Sequence, residues 1–410
     1  MIHSAHVMMR AFMTPAGLYI HIPFCRSRCS YCDFATGLYE SGLADRYVRA
    51  LCAEISGATV DAAAIDTIYL GGGTPSLLDG AQLNQILLAV REKFDADPAS
   101  EITLEINPGS ITLERLRDFR RLGINRASFG AQTFDDRELA KLGRSHTAAD
   151  ARRTFHDLRS AGFDNVSFDL IAGLPGQTLA GWQRNVDEAL EMAPEHLSFY
   201  LLEIHSGTPL AQHIARGLQP VPDEDLAAVM YAWMLERASS AGYEHYEISN
   251  LCRPGFQSRH NTKYWTGAPY FGFGCSAHSY DGARQRWSNH RDVLKYVESV
   301  EHGSSSISEK QILTEGDVRA EALFLGLRLM RGVNLRQYRE AFGVDLLAEH
   351  AIELERFQAA GLVELNEDLR LTRNGALLSN EVFSAFVCSS PSTVHPDPVN
   401  RLWDECWRAR

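Results

Sequence analysis

Three cysteines, Cys25, Cys29 and Cys32, are the residues of this sequence whose types and spacing best suit shared chemistry. Three residues separate the first two and two separate the last two, within GLYIHIPFCRSRCSYCDF at positions 17–34. An alternating apolar run, Leu18-Tyr19-Ile20-His21-Ile22, leads in and Pro23 stops it, so the cysteines fall on a loop at a strand end. There three thiolates can converge on one object. A four-iron cluster normally takes four protein thiolates, and three leave one iron open to bind and activate a further molecule. The same residues suit a structural zinc ion with His21 or a distant side chain as fourth ligand, although zinc sites usually show paired C-x-x-C elements.

The elements that must position this loop follow from the apolar periodicity. Short runs at 18–22, 65–70, 102–106, 126–129, 166–171 and 196–202 read as strands. Helical spacing occupies 43–56 (Leu43, Tyr47, Leu51, Ile55), 81–93 (Leu83, Ile86, Leu87, Val90), 113–122, 136–142, 149–161 and 179–192. Six βα units in sequence predict a parallel sheet with helices outside. After each strand comes something that does not belong in a core: the cysteines, then Gly71-Gly72-Gly73-Thr74-Pro75, then Glu105 with Asn107-Pro108, then Gly130 with Gln132. Asp169 with Gly173-Leu174-Pro175-Gly176 follows, and then Tyr200. A face ringed by chemistry from every strand end is the arrangement of a βα barrel, whereas a doubly wound sheet needs it only near its switch point. The expected fold is α/β, a partial (β/α)6 barrel.

Beyond residue 203 the beat fails. A helix is expected at 224–241 and a strand at 244–250, and the stretch 259–280 is rich in aromatic residues and glycine. A helix is expected at 292–299, and the serine-rich 303–308 reads as a linker. Helices at 318–330, 335–342 and 347–360, a hairpin of 362–365 with 370–372, and a last helix from about Thr372 suggest a C-terminal winged-helix-like α+β domain. It lacks a basic recognition helix and reads as a packing or lid domain. Trp403 and Trp407 stand at helical spacing in the tail.

The chain has 410 residues, enough for two or three domains, and 45% apolar content, ordinary for a soluble globular protein. A net charge of −12 argues against a nucleic-acid partner. No run approaches a membrane span, and the first residues form a poor signal peptide. Cys52, Cys252, Cys275, Cys388 and Cys406 are scattered and read as buried or free thiols, which suits a reducing, cytoplasmic location.

The C-x-x-x-C-x-x-C loop with Tyr31 before its third cysteine, followed by GGGTP at the next strand end, resembles the radical S-adenosylmethionine (SAM) superfamily. The resemblance implies a [4Fe–4S] cluster on Cys25, Cys29 and Cys32 whose open iron chelates SAM. It narrows to the oxygen-independent coproporphyrinogen III dehydrogenase group over residues 17 to 386, through YIHIPFC, GGGTPS, EINPGS, SFGAQTF, GRSH, DLIAGLPGQT, GFGCSAHS and LLSNEVF. By that resemblance Tyr19, Tyr31, Gly72, Gly73, Thr74, Glu105, Gln132, Arg144 and Asp169 would contact SAM. The glycines also suit a close backbone approach, and Thr74-Pro75 suits a helix start with Thr74 as N-cap. Glu105 and Asp169 suit barrel-mouth carboxylates paired with Arg126 or Arg144, and Gln132 suits a helix cap.

Two departures set the chain apart from the dehydrogenase itself. That enzyme has a further cysteine two residues after the third, where Phe34 stands here, and a longer segment before the cluster, where 24 residues precede Cys25. Both match the haem-chaperone branch of the group, as does His260-Asn261-x-x-Tyr264-Trp265, the haem-binding motif of that branch. A neutral imidazole is a good axial ligand for haem iron, and aromatic rings bury well against a porphyrin. Without the resemblance, the same residues read as a surface histidine beside core aromatics, and His205, His245 and His278 are other available ligands.

The resemblance thus implies a haem chaperone that binds haem and passes it to haem-accepting proteins, membrane-bound ones among them. The alternative is coproporphyrinogen III oxidation. A homodimer is a further expectation. The expected organisation is a disordered lead (1–16), a partial barrel (17–250), a haem-motif segment with linker (251–308), a helical C-terminal domain (309–386) and a tail (387–410).

Overall fold

In the computed structural model, which describes residues 14–60 and 64–387, one twelve-stranded sheet organises the chain. Its centre is six parallel strands in sequence order: β1 (Ala16–Ile22), β2 (Ala64–Gly72), β3 (Asp95–Ile106), β4 (Arg126–Gln132), β5 (Val166–Ala172) and β6 (His196–Leu201). The fold class expected of the sequence, an α/β partial barrel, is the one observed. Its helices begin as their sequences dictate. Asp79 and Gln82 form a reciprocal capping box at Gly80–Lys93, and Thr112, Thr147 and Thr178 each accept a backbone N–H at the next three helices of the barrel's βα units that such a threonine caps.

The sheet runs on past both ends of this set, and here the expected organisation is corrected. The strand expected at 244–250 is a hairpin of β7 (Glu244–Glu247) and β8 (Asn250–Cys252), with β8 antiparallel to β6. On the other side β9 (Tyr270–Phe273) adds parallel to β1, followed by antiparallel β10 (His278–Tyr280), β11 (Gln285–Asn289) and β12 (Ile307–Ile312). The stretch 251–308 is therefore no separate segment ending in a linker: residues 307–308 begin an edge strand. The physical reason is that β1 needs a neighbour for its second edge, and 270–273 supplies it.

This extension is held by one carboxylate. Glu54, on the helix Ser41–Gly57, accepts from Asn289 Nδ2 at 2.6 Å, Tyr296 Oη at 2.7 Å, Ser306 Oγ at 2.8 Å and the Gly274 backbone at 2.8 Å. Burial raises its pKa.

The C-terminal domain has a small sheet of residues 333–334, 368–371 and 363–365, so the expected hairpin carries a third strand. The helix expected at 347–360 is two, Leu346–Glu349 and Ala351–Ala359, broken at His350. A hydrophobic core separate from that of the barrel forms here, and Tyr264, Trp265, Tyr270 and Tyr280 of the sheet-extension region belong to it. Two buried ion pairs cross the junction, Arg286 with Glu321 at 2.6 Å and Arg328 with Glu247 at 3.5 Å. No helix among the described residues is long and apolar enough to cross a membrane. The lead before residue 14 and the tail with Trp403 and Trp407 lie outside the described residues.

Glu54→Ala strands four donors in a buried setting. It is expected to destabilise the fold by about 3 kcal/mol or more, read as a lower urea midpoint. A loss under about 1 kcal/mol would contradict the role given to this carboxylate.

Candidate functional site

The cysteine loop is fixed from both sides before any ligand is considered. Gly37 N donates to Pro23 O at 2.7 Å and Tyr39 N to Cys25 O at 2.9 Å, folding residues 37–39 back on the loop's start. Ser30 N donates to Leu142 O at 2.9 Å and Ser30 Oγ to Lys141 O at 3.2 Å, tying the loop's middle to the segment after β4. The three thiols are free and half-buried, and they line one cavity of about 280 Å³. Burial raises the Cys25 thiol and pushes that of Cys32 up to about 11.

A ring of hydrogen bonds joins the strand ends beneath the thiols. Thr74 Oγ1 donates toward Cys25 Sγ at 3.7 Å and accepts from Asn107 Nδ2 at 3.1 Å. Arg144 donates to Asn107 Oδ1 at 2.7 Å, to Gly130 O at 2.8 Å and, through Nη1, to Cys29 Sγ at 3.4 Å. Thr74 stands at the N-cap position of a short turn at Pro75–Leu77, with Pro75 opening it, but its side chain makes no capping bond and serves the cysteines. Asn107 links the ring's two halves, and only its place at a strand end pointed to it in the sequence.

The glycine run has a structural cause. Gly72 sits at φ 114°, and a Cβ there would lie 2.5 Å from the His21 ring. A Cβ on Gly73 would lie 2.7 Å from Phe24 O and 2.9 Å from Pro23 C. In their place Gly73 N donates to Ile22 O and Thr74 N to Phe24 O, each at 2.8 Å. These glycines let β2 close on the entry to the cysteine loop while also lining the cavity.

Tyr31, Gly72, Gly73, Glu105, Gln132, Arg144 and Asp169 line the cavity together with the cysteines. Glu105 accepts from Tyr69 Oη at 2.8 Å and Gly72 N at 3.0 Å. Gln132 ends its strand at φ 65°, a left-handed conformation rare for its type, and its side chain stays at the cavity and caps no helix. Tyr19 and Thr74 stand behind the lining. Tyr19 Oη donates to His21 Nδ1 at 3.0 Å, because His21 Nε2 is spent donating to Ala35 O at 2.9 Å. Burial pushes the His21 pKa down to about 4.

The four motif residues 260, 261, 264 and 265 do not form one open face. Asn261 reaches the cavity. His260 is buried with both nitrogens engaged, Nδ1 with Thr67 Oγ1 and Nε2 with Tyr264 Oη, each at 2.9 Å, and its ring stacks on Tyr69 at 5.2 Å. Burial, then Lys263 and Arg126, push its pKa down to about 3. Tyr264 and Trp265 pack in the C-terminal core, with the Arg328 guanidinium 4.2 Å over the indole. The residues expected to hold haem thus include a closed aromatic joint here, and the histidine that reads as a surface residue without the resemblance is buried.

The donor set suits a cluster. Three free thiols of one loop line a single cavity, and three thiolates hold a four-iron cluster with one iron left open. Thr74 and Arg144 stand ready to stabilise sulfur charge.

Gly73→Ala is expected to displace the loop, costing about 1–3 kcal/mol and most of the iron bound on anaerobic reconstitution, while Gly37→Ala, which meets nothing within 4 Å, keeps both. Iron content and the thermal midpoint check this. His21 and His260 both resist protonation in the fold, so their contribution to stability is complete above pH 6.5 and is lost as pH falls toward 4 and then 3. Urea midpoints should fall over this range by up to about 1.4 kcal/mol per pH unit per histidine, with a shallower fall in His260→Asn.

Comparison with known proteins agrees with this geometry. The Radical SAM superfamily profile matches residues 19–189 and the HemN C-terminal domain profile residues 313–378. The first implies a [4Fe–4S] cluster and SAM. The heme chaperone HemW of Bacillus subtilis is 36% identical over 374 residues, covering 90% of this chain and 98% of that one. HemW of Synechocystis is 40% identical over 334 residues, covering 80% and 81%. The solved coproporphyrinogen III oxidase HemN of Escherichia coli superposes with a TM-score of 0.80 at 23% identity, over 92% of each chain, a likeness of fold. With that identity over nearly its whole length, the chain belongs to the heme chaperone HemW family of radical SAM proteins.

Proposed function

We propose that this protein binds haem and passes it to haem-accepting proteins, with a [4Fe–4S] cluster and SAM at the strand-end cavity. The observation that carries this reading is the 36% identity to a heme chaperone across 98% of that relative's length. Cys25, Cys29 and Cys32 hold the cluster. Tyr31, Gly72, Gly73, Glu105, Gln132, Arg144 and Asp169 surround SAM, with Tyr19 and Thr74 holding that lining in place. Arg144, donating to Cys29 Sγ, offsets the negative charge of a thiolate-held cluster. Phe34 lines the same cavity as a half-exposed apolar surface where the dehydrogenase has a thiol.

Haem ligation falls to a histidine at or behind this cavity. His260 becomes a ligand only when its bonds to Thr67 and Tyr264 open. His205 already lines the cavity, with Nε2 3.7 Å from the Glu203 carboxylate, so a neighbouring anion supports a coordinated imidazole.

Haem titration of the wild type, His260→Ala and His205→Ala assigns the ligand. A loss of affinity of about tenfold or more, about 1.4 kcal/mol, is expected in at least one variant, and equal affinities in all three would remove histidine ligation. Turnover of coproporphyrinogen III to protoporphyrinogen IX with SAM and a reductant would replace the carrier reading by an enzymatic one.

A further inference from the structure

Arg126 opens β4 and is 1% exposed, one of the largest fully buried side chains. Strand alternation turns Arg126, Ser128 and Gly130 to the same side, the strand is irregular between Gly130 and Gln132, and all four line the cavity. Gln132 and Gly130 lie by Arg144 and the cysteine loop, while Arg126 lies at the other end of the strand, about 20 Å of backbone away at 3.3 Å per residue.

This guanidinium lacks the partner such a group requires. Among the described residues it forms no ion pair or side-chain hydrogen bond, and its Nε is shut off from solvent with nothing to donate to. Tyr69, Tyr246, Cys252 and His260 lie within reach of its charge, all neutral here. Glu105, on the adjoining strand, accepts from Tyr69 Oη and Gly72 N. Thr103 pairs with Arg126 across the β3–β4 ladder, so its side chain shares that face, and its buried Oγ1 is also without a partner. A buried cation without an anion is costly, and the planar fork of arginine matches a carboxylate with two parallel bonds.

We propose that Arg126, with Thr103 beside it, is the carboxylate-binding end of the cavity and receives a carboxylate arm of the bound ligand at the end remote from the cysteines. One such arm exists under the proposed function, on which this inference rests: a propionate of a tetrapyrrole, since the carboxylate of SAM is engaged at the cluster beside the cysteines. At about 280 Å³ the cavity is at the lower limit of small-molecule sites, so Arg126 meets an arm and not a macrocycle.

The full chain with reconstituted cluster, as wild type, Arg126→Met and Arg126→Lys, is titrated with protoporphyrin IX, its dimethyl ester and SAM, and the ligand-free thermal midpoint is recorded. For a propionate, the wild type prefers the acid to the ester at least tenfold, Arg126→Met abolishes the preference, and Arg126→Lys restores part of it. SAM affinity is the same in all three proteins. Arg126→Met raises the ligand-free midpoint, because an uncompensated buried charge is gone. Unchanged binding of all three ligands, with a lowered midpoint, would overturn the proposal and make Arg126 a structural residue. A wild type that binds neither porphyrin would instead remove the haem reading, leaving the midpoint to decide whether Arg126 is an uncompensated charge.

Discussion

The close approach of β2 to the backbone of residues 22–24 is the contact on which the site depends. It requires glycine at 72 and 73, since any Cβ there meets the His21 ring or the carbonyl of Phe24. Because β2 can come this near, Thr74 reaches Cys25, Asn107 reaches Thr74, and Arg144 closes the circuit on Cys29. Loops that are far apart in sequence thereby become one rigid rim. The rim is built by backbone and short side chains, so the thiols are presented and do not have to be gathered by their ligand.

Behind the rim the barrel is polar in a way that cores seldom are. Thr67, Thr103, Arg126, Ser167 and His196 are buried on the central strands, and several bond across to the hairpin and to the helix Arg259–Thr266. Ser167 and Tyr246 hold the two nitrogens of His196 at 2.8 Å each, and Thr67 and Tyr264 hold those of His260. Fully bonded networks of this kind specify one arrangement of a core. The positions where the network fails, Thr103 and Arg126, are where a ligand supplies what the chain does not.

Much of this was legible in the sequence where local chemistry decides structure. Strand–loop–helix alternation, threonine and aspartate caps and the cysteine spacing are local signals, and the six central strands and their helices lie within a few residues of their expected places, β3 apart. β3 begins at Asp95, well before the expected 102, because residues 95–96 pair with 64–65 across a bulge that apolar periodicity does not register. The sheet extension was hidden for a similar reason. Residues 307–312 are exposed and polar, ISEKQI, and become a strand only because β11 offers an edge. The motif around His260 was legible as a motif but not as a packing arrangement, since the core that takes up Tyr264 and Trp265 is built largely from residues 313–386. Arg126 was visible as a residue, yet its solitude is a three-dimensional property.

Tyr264 has a consequence of its own. Its hydroxyl holds the His260 imidazole at the barrel wall, while its ring sits in the hydrophobic core of the C-terminal domain, edge-on to Tyr270 at 4.7 Å. The imidazole is thus linked through one hydroxyl to the packing of that core. Freeing it requires the tyrosine to swing, and the tyrosine cannot swing without loosening the seat of the C-terminal domain. One tyrosine thereby ties the position of the histidine to the packing of the C-terminal core.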